Sequence, residues 1–180
     1  MEIQTFEYII KQKNEGSVIR NKVLAILGYI FVFFTLALLI INLFAPLLHI
    51  PFLLIDLALC AMIAFISWRF LCVEFEIVIG GGELTLTKLY GKSIRKRMTS
   101  IPIDSLSEVG IYDDEAYEKL CAASLQKNYI AVSSMSAPVI YYALFDEGKD
   151  RCVLYFEIDE RGLKKMRTEN PGAFRKGNIK

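Results

Sequence analysis

The chain has 180 residues, of which 54% are hydrophobic and 23% are charged, and its formal net charge is +1. This apolar content, with a mean hydropathy of +0.38, exceeds that of a typical soluble domain. The balanced charge gives no general attraction to nucleic acid, which we exclude as a partner. The apolar excess lies between Val23 and Phe70, and the rest of the chain resembles an ordinary soluble domain in composition.

Residues 1–22 form an N-terminal segment that we expect to be cytoplasmic. Its apolar residues Ile3, Phe6, Ile9 and Ile10 recur at helical spacing, and the pattern predicts a short amphipathic helix that ends at "NEGS". Such a helix could lie among lipid headgroups or pack on the soluble domain, and the pattern fits both arrangements.

Residues 23–70 are predicted to form a transmembrane hairpin. The run from Val23 to Ala45 has no charged residue, and as a helix its 23 residues would span about 34 Å, enough to cross a membrane. Pro46 interrupts the run, and Pro51 is expected in the first turn of a second, returning helix. Two such long runs are too apolar for the core of so small a soluble protein, and the first is too long for a signal peptide.

The basic residues predict how the hairpin is oriented. They flank its two outer ends, whereas the connecting loop has neither Lys nor Arg, so both termini should be cytoplasmic and the protein should lie in the cell inner membrane. The flanking residues are Lys11, Lys13, Arg20 and Lys22 before the first helix, and Arg69 and the cluster from Lys88 to Arg97 after the second.

The polar residues Asn42 and Asp56 fall inside the predicted membrane region. An isolated charge at that depth would cost about 2.5–3.5 kcal/mol, so Asp56 should be protonated or should face Asn42 or another subunit. Antiparallel pairing of the two helices would put Asp56 opposite Leu38. A role in helix pairing is favoured over an ion or proton site, so Asp56→Leu should weaken assembly and Asp56→Asn should not. Self-association of the chain stays open.

Residues 71–170 change from a helical to a strand-like period, which predicts a cytoplasmic domain of about seven antiparallel strands. A helix capped by Asp113 or Asp114 is inserted after the fourth strand, and a terminal helix begins at Asp159. Residues 171–180 are expected to be a flexible tail. The predicted strands are "VEFEIVI", "ELTLTKLY", "GKSIRKRMTSIPI", "LSEVGIY", "NYIAVSS", "VIYYALF" and "RCVLYFEI".

This order of elements resembles the bacterial pleckstrin-homology-like (PH-like) domains of small membrane proteins. More narrowly, "FEYIIKQKNEG", "GELTLTKLYGKSIRKR" and "YFEIDERGLKKMRTENP" are similar to segments of an uncharacterised family of two-span proteins from Firmicutes. The resemblance implies an α+β membrane protein, in which a two-helix transmembrane hairpin precedes an antiparallel PH-like barrel or sandwich. It implies no activity, because the family has none assigned.

Catalytic chemistry is poorly supported by the sequence. The single histidine, His49, allows neither a histidine-based triad nor a multi-histidine metal site within one chain. The "DDE" run from Asp113 to Glu115 could bind a hard cation, but helix capping explains it better. "GGGEL" joins strand to strand and so is not a phosphate loop. We expect no enzyme, no cofactor and no metal, and we expect reduced thiols at the four cysteines.

Three hypotheses for function remain. The soluble domain could bind a protein through a strand edge or the groove beside its terminal helix, which we slightly prefer. It could instead bind anionic lipid headgroups through a basic strand, in which Lys92 and Lys96 would point to one face and Arg95 and Arg97 to the other. The uncharged loop at Gly80–Gly82 counts against a specific inositide site. A regulatory subunit of a transport or lipid-handling complex is the third hypothesis. The lipid-binding candidates are Lys88, Lys92, Arg95, Lys96 and Arg97.

Overall fold

The computed structural model describes residues 5–91 and 93–174. The chain forms two compact units. One contains residues 13–73, and the other contains the chain up to Gln12 together with residues from Glu74 onward. The predicted fold class, an α+β protein with a two-helix hairpin of membrane-spanning length, is confirmed.

The first unit is a helical hairpin made of α1 (Ser17–Leu43) and α2 (Pro46–Leu71). Both helices are long and apolar enough to cross a membrane. The second helix begins at Pro46, five residues before the Pro51 that the sequence indicated, and Pro51 lies within it. Proline is favoured at a helix start because its missing N–H would have no partner there.

The N-terminal segment is a strand and not the predicted amphipathic helix. Strand β1 (Phe6–Lys11) pairs antiparallel with β2 (Val73–Gly80), with Phe6 opposite Ile79 and Lys11 opposite Glu74. Its alternate residues are buried or half-buried, as a strand on one face of a sheet requires. The helix prediction was wrong because Ile9 and Ile10 fit the spacing of a helix as well as that of a strand. The partner strand, β2, follows the hairpin in the chain, so the local sequence does not reveal it.

The second unit contains two four-stranded sheets. In the first the order is β1-β2-β3-β4, and in the second it is β5-β7-β8-β6. All seven predicted strands are present, and β1 is an eighth. The pairing is not antiparallel throughout, since β6 runs parallel to β8. The remaining strands are β3 (Glu83–Tyr90), β4 (Ile94–Pro102), β5 (Leu106–Ile111), β6 (Lys127–Ala131), β7 (Tyr141–Glu147) and β8 (Asp150–Phe156).

Two helices belong to this unit, α3 (Asp114–Ala122) and α4 (Glu160–Glu169), and both begin at the predicted caps. Asp113 accepts a hydrogen bond from the Ala116 N–H, and Asp159 accepts one from the Gly162 N–H, each at 2.8 Å. These bonds satisfy donors that the first helical turn leaves unpaired.

The predicted flexible tail does not begin at residue 171. A 3-10 helix spans Pro171–Ala173, and Phe174 is buried and forms a bridge to Val109 of β5. Residues 175–180 of the predicted tail lie outside the described residues. The folded domain therefore extends at least to Phe174.

A charged cluster fastens the edge strand β6 to the β7–β8 hairpin. The Lys127 amine lies 2.9 Å from carboxylate oxygens of both Glu147 and Asp150, and the Tyr129 hydroxyl donates to Glu147 at 3.0 Å. The hydrogen bond from Lys127 lowers the pKa of the Glu147 carboxyl. In turn, hydrogen bonds to Glu147 and Asp150 raise the pKa of the Lys127 amine. These contacts hold β6 at the edge of its sheet.

Candidate functional site

Helix α4 packs closely on the first sheet because it has a glycine at the contact. A Cβ atom added to Gly162 would lie 2.4 Å from Ile158 Cδ1 and 2.5 Å from Phe6 Cε1. Leu163 and Met166 are buried on the same side of the helix. This close contact brings α4 beside the start of β1 and fixes which of its faces stays open.

The open face of α4 carries a basic stripe. Arg161, Lys164, Lys165 and Thr168 recur at intervals of three and four residues, which puts them on one side of a helix. Together they line a groove of about 720 Å³, whose other lining residues are Thr5, Phe6, Gly81, Gly82 and Glu169. We call this the basic arm.

A second concavity of about 550 Å³ adjoins the basic arm, with which it shares Gly81, Gly82 and Glu169. It adds the acidic residues Glu83 and Asp104, and we call it the acidic arm. The two arms together are named the α4 groove. The lining residues of the acidic arm are Gly81, Gly82, Glu83, Pro102, Ile103, Asp104 and Glu169.

The floor between the arms is a tight turn that connects β2 to β3. Gly81 and Gly82 both have positive φ, +63° and +81°, a conformation that side chains disfavour. A Cβ atom added at either glycine would meet nothing within 4 Å, so the space above the turn is open. The backbone is thereby accessible where the two arms meet.

Asn170 holds the acidic arm in shape. Its side-chain amide donates to the carbonyl oxygens of Ile103 (2.8 Å), Asp104 (3.3 Å) and Leu106 (3.1 Å), and its Oδ1 accepts from the Ala173 N–H. The end of α4 is therefore bonded to the segment that carries Asp104.

Several charged side chains of the α4 groove have no ion-pair partner in the part of the chain that the structure describes. Among the described residues, the side chains of Arg161, Lys164, Asp104 and Glu169 make no ion pair. Glu83 differs, since it lies 3.8 Å from Arg97 and accepts from the Ser100 hydroxyl. The groove thus presents unpaired charges of both signs.

A family model described as "Bacterial PH-like domain (DUF6106)" matches residues 4–176 of the chain. The chain belongs to this family. No curated protein and no solved structure matches it significantly. The match begins before β1 and continues past α4, so the PH-like family unit includes the strand that precedes the hairpin as well as the hairpin itself.

The predicted lipid-binding residues lie at the other end of the first sheet of the PH-like domain. Lys88 is directly opposite Lys96, and Arg97 and Arg95 are opposite Thr87 and Leu89 on the other face. Lys92 lies outside the described residues. The structure thus brings the four described cations onto two neighbouring strands, far along β3 from the turn that forms the groove floor.

Ion pairs reduce the charge of this basic strand end. Arg95 lies 3.4 Å from Glu76, which is buried, and Arg97 pairs with Glu83. Lys88 extends over the Tyr90 ring at 5.2 Å from its centroid. Because Arg95 and Arg97 have acidic partners, Lys88 and Lys96 are the better residues for testing an electrostatic contact with lipid.

The intramembrane polar residues do not form the expected pair. Asn42 donates to the backbone oxygen of Leu38, 2.7 Å away on its own helix. Asp56 is 4% exposed, so it does not face outward toward another subunit. Its Oδ1 accepts from the Cys60 thiol at 3.5 Å, and its Oδ2 has no hydrogen-bond partner among the described residues. A hydrogen bond does join the helices between the hydroxyls of Tyr29 and Ser67, at 2.6 Å.

Replacing Asp56 by leucine should therefore leave the hairpin at least as stable as before, which reverses the sequence-based expectation. A buried polar atom without a partner is destabilising, and leucine removes it. Tyr29→Phe, which breaks the bond to Ser67, should instead cost about 0.6 kcal/mol. Thermal unfolding of the full chain in detergent micelles compares the variants. A loss of stability in Asp56→Leu that Asp56→Asn does not share would mean that the carboxyl binds a partner.

The sequence contained a signal for the basic arm that hydrophobic periodicity alone does not reveal. Within "DERGLKKMRTEN", Leu163 and Met166 mark the buried face of α4, and the cations fall at helical spacing on another face. The acidic arm had no such signal, because Asp104 and Glu169 are brought together only by folding. Among the described residues, no group of three potential metal ligands occurs.

Proposed function

We propose that this membrane-associated protein acts by binding, without catalysis, and that its PH-like domain holds a protein partner in the α4 groove. The observation that carries the proposal is the set of unpaired charges of both signs around an open, glycine-floored groove. Protein surfaces present both signs within a short distance, and complementary charge confers specificity on such contacts. An anionic lipid surface would be attracted by Arg161 and Lys164 but repelled by Asp104 and Glu169.

Anionic lipid remains the second candidate, and it is favoured at a different place. Lys88 and Lys96 lie directly opposite each other with like charge, at the end of the sheet that joins the hairpin along the chain. Each basic residue near an anionic membrane contributes about 1 kcal/mol. A weak contact with lipid at this end is compatible with a protein in the groove.

We also propose that both ends of the hairpin are cytoplasmic. Pairing of Lys11 with Glu74 requires the chain to leave and re-enter the domain at neighbouring points, which supports one side for both ends. The basic flanks favour the cytoplasm as that side. An impermeant thiol reagent on intact cells should label His49→Cys but not the exposed Cys121, which should react after permeabilisation. Labelling of Cys121 alone in intact cells would reverse the orientation.

Site-specific photo-crosslinking in cells tests the groove. A photoreactive residue at Lys164 should give a discrete protein adduct, and the same residue at Glu118, exposed on α3, serves as the matched control. Arg161→Glu should remove the adduct by reversing the charge beside the probe. The proposal fails if Lys164 yields only lipid adducts, or if the adducts from Lys164 and Glu118 are the same. A transporter or lipid-handling subunit as the adduct would favour the regulatory hypothesis.

A further inference from the structure

We infer that the α4 groove binds an extended peptide segment of mixed charge, with acidic side chains against the basic arm and a basic side chain against the acidic arm. The inference rests on the proposed function and specifies the chemistry of the partner. It follows from three features of the groove, namely its shape, its glycine floor and the arrangement of its charges in the two arms.

The shape favours a segment over a compact ligand. The two arms adjoin at Gly81, Gly82 and Glu169, and each arm is bordered by charged groups. A free phosphate or a single headgroup would use the basic arm alone. An extended peptide reaches both arms at about 3.3 Å per residue.

The glycine floor favours close approach of a peptide backbone. Because nothing lies within 4 Å of the Cβ positions of Gly81 and Gly82, a bound main chain could pass directly over the turn. Side chains of the segment would then point along the groove toward either arm. The half-buried Phe6 gives the basic arm an apolar surface beneath its cations.

The arrangement of charges along the groove determines which charged side chains the bound segment must have. Arg161, Lys164 and Lys165 border one arm, whereas Glu83 and Asp104 border the other, and Glu169 is common to both. An all-acidic segment would be repelled at Asp104 and Glu169, so both signs are required. The arrangement therefore discriminates against uniformly anionic ligands, including anionic membranes.

Fluorescent peptides of about nine residues test the inference against the full chain in phosphatidylcholine nanodiscs, which supply a membrane without net charge. At about 3.3 Å per residue such peptides are about 30 Å long when extended. One set carries two Glu at one end and two Lys at the other, in both chain directions, and a second set carries Glu at both ends. Fluorescence anisotropy should show that a mixed-charge peptide binds about tenfold more tightly than the all-acidic ones, equivalent to about 1.4 kcal/mol.

Charge reversal distinguishes the two arms. Arg161→Glu with Lys164→Glu should abolish binding of every peptide, whereas Asp104→Lys with Glu169→Lys should make the all-acidic peptide bind better than the mixed one. Lys149→Glu, an exposed change in the β7–β8 turn, is the matched control and should alter nothing. Equal affinity of wild type for both peptide sets would overturn the assignment of the acidic arm.

The remaining outcomes separate this inference from the proposed function. If crosslinking at Lys164 captures a protein but no peptide binds, the partner presents a folded surface and the extended-segment inference is wrong. Binding of anionic vesicles that depends on Arg161 would assign the groove to lipid and overturn both. A deletion of residues 175–180, which include Arg175 and Lys176, should not change peptide affinity. Tighter binding after that deletion would mean that the chain's own tail occupies the acidic arm.

Discussion

A fragment that begins at Glu74 is expected not to fold, because it lacks β1. Removing this strand exposes the pairing edge of β2 and removes Ile10, which is only 3% exposed. Burial of one such side chain contributes about 1.5–3 kcal/mol, and the loss of the backbone hydrogen bonds between β1 and β2 adds to this cost. The total stability of a domain is only about 5–15 kcal/mol. Circular dichroism and gel filtration of the fragment should show an unfolded or aggregated chain.

The matched control joins the two parts of the domain without the hairpin. Lys11 and Glu74 are antiparallel partners, so a short Asn-Gly turn can replace residues 12–73. This variant should be monomeric and should unfold cooperatively. If the fragment from Glu74 alone unfolded with the same midpoint, β1 would not belong to the stable unit.

Gly162→Val should detach α4 from the first sheet and so abolish the groove. Even a Cβ atom there would lie within 2.6 Å of Ile158 and Phe6 side-chain atoms, and the branched methyl groups of valine add to the overlap. Overpacking of this kind costs about 1–3 kcal/mol. The loss should exceed the gain in helix propensity, which is about 1 kcal/mol for glycine to alanine and smaller for valine.

Thermal unfolding of the joined domain measures this effect, with Gly172→Ala as the control. The nearest atom to a Cβ at Gly172 is Asn170 Oδ1 at 3.7 Å, an ordinary contact, so this substitution should be almost neutral. Peptide binding should also be lost in Gly162→Val while persisting in Gly172→Ala. An unchanged midpoint for Gly162→Val would show that α4 can shift without cost.

Local physical rules accounted for the elements whose partners are close in sequence. Apolar length predicted the hairpin, period-two alternation predicted seven strands, and the side chains of Asp113 and Asp159 predicted two helix starts. These features depend on contacts within a few residues. They are also the features on which the resemblance to PH-like domains rested.

Features that depend on distant partners were missed. Strand β1 was misread because its partner β2 follows the whole hairpin, and the parallel pairing of β6 depends on which edge of the second sheet is vacant. Facing Asn42 was one of the alternatives for Asp56, but rotation of each helix about its axis decides which side chains face the other helix. The acidic arm likewise unites residues from separate segments that only the fold brings together.

The position of β1 ahead of the hairpin has a consequence for biogenesis. During translation this strand emerges from the ribosome first, and its partner emerges only after both apolar helices have been synthesised. The first sheet therefore cannot be completed until both helices have been synthesised, since such non-local pairing must wait for the later segment. Until β2 emerges, the growing chain carries an unpaired strand, whose exposed edge could pair with other chains. Completion of the PH-like domain is in this way tied to complete synthesis of the hairpin that interrupts it.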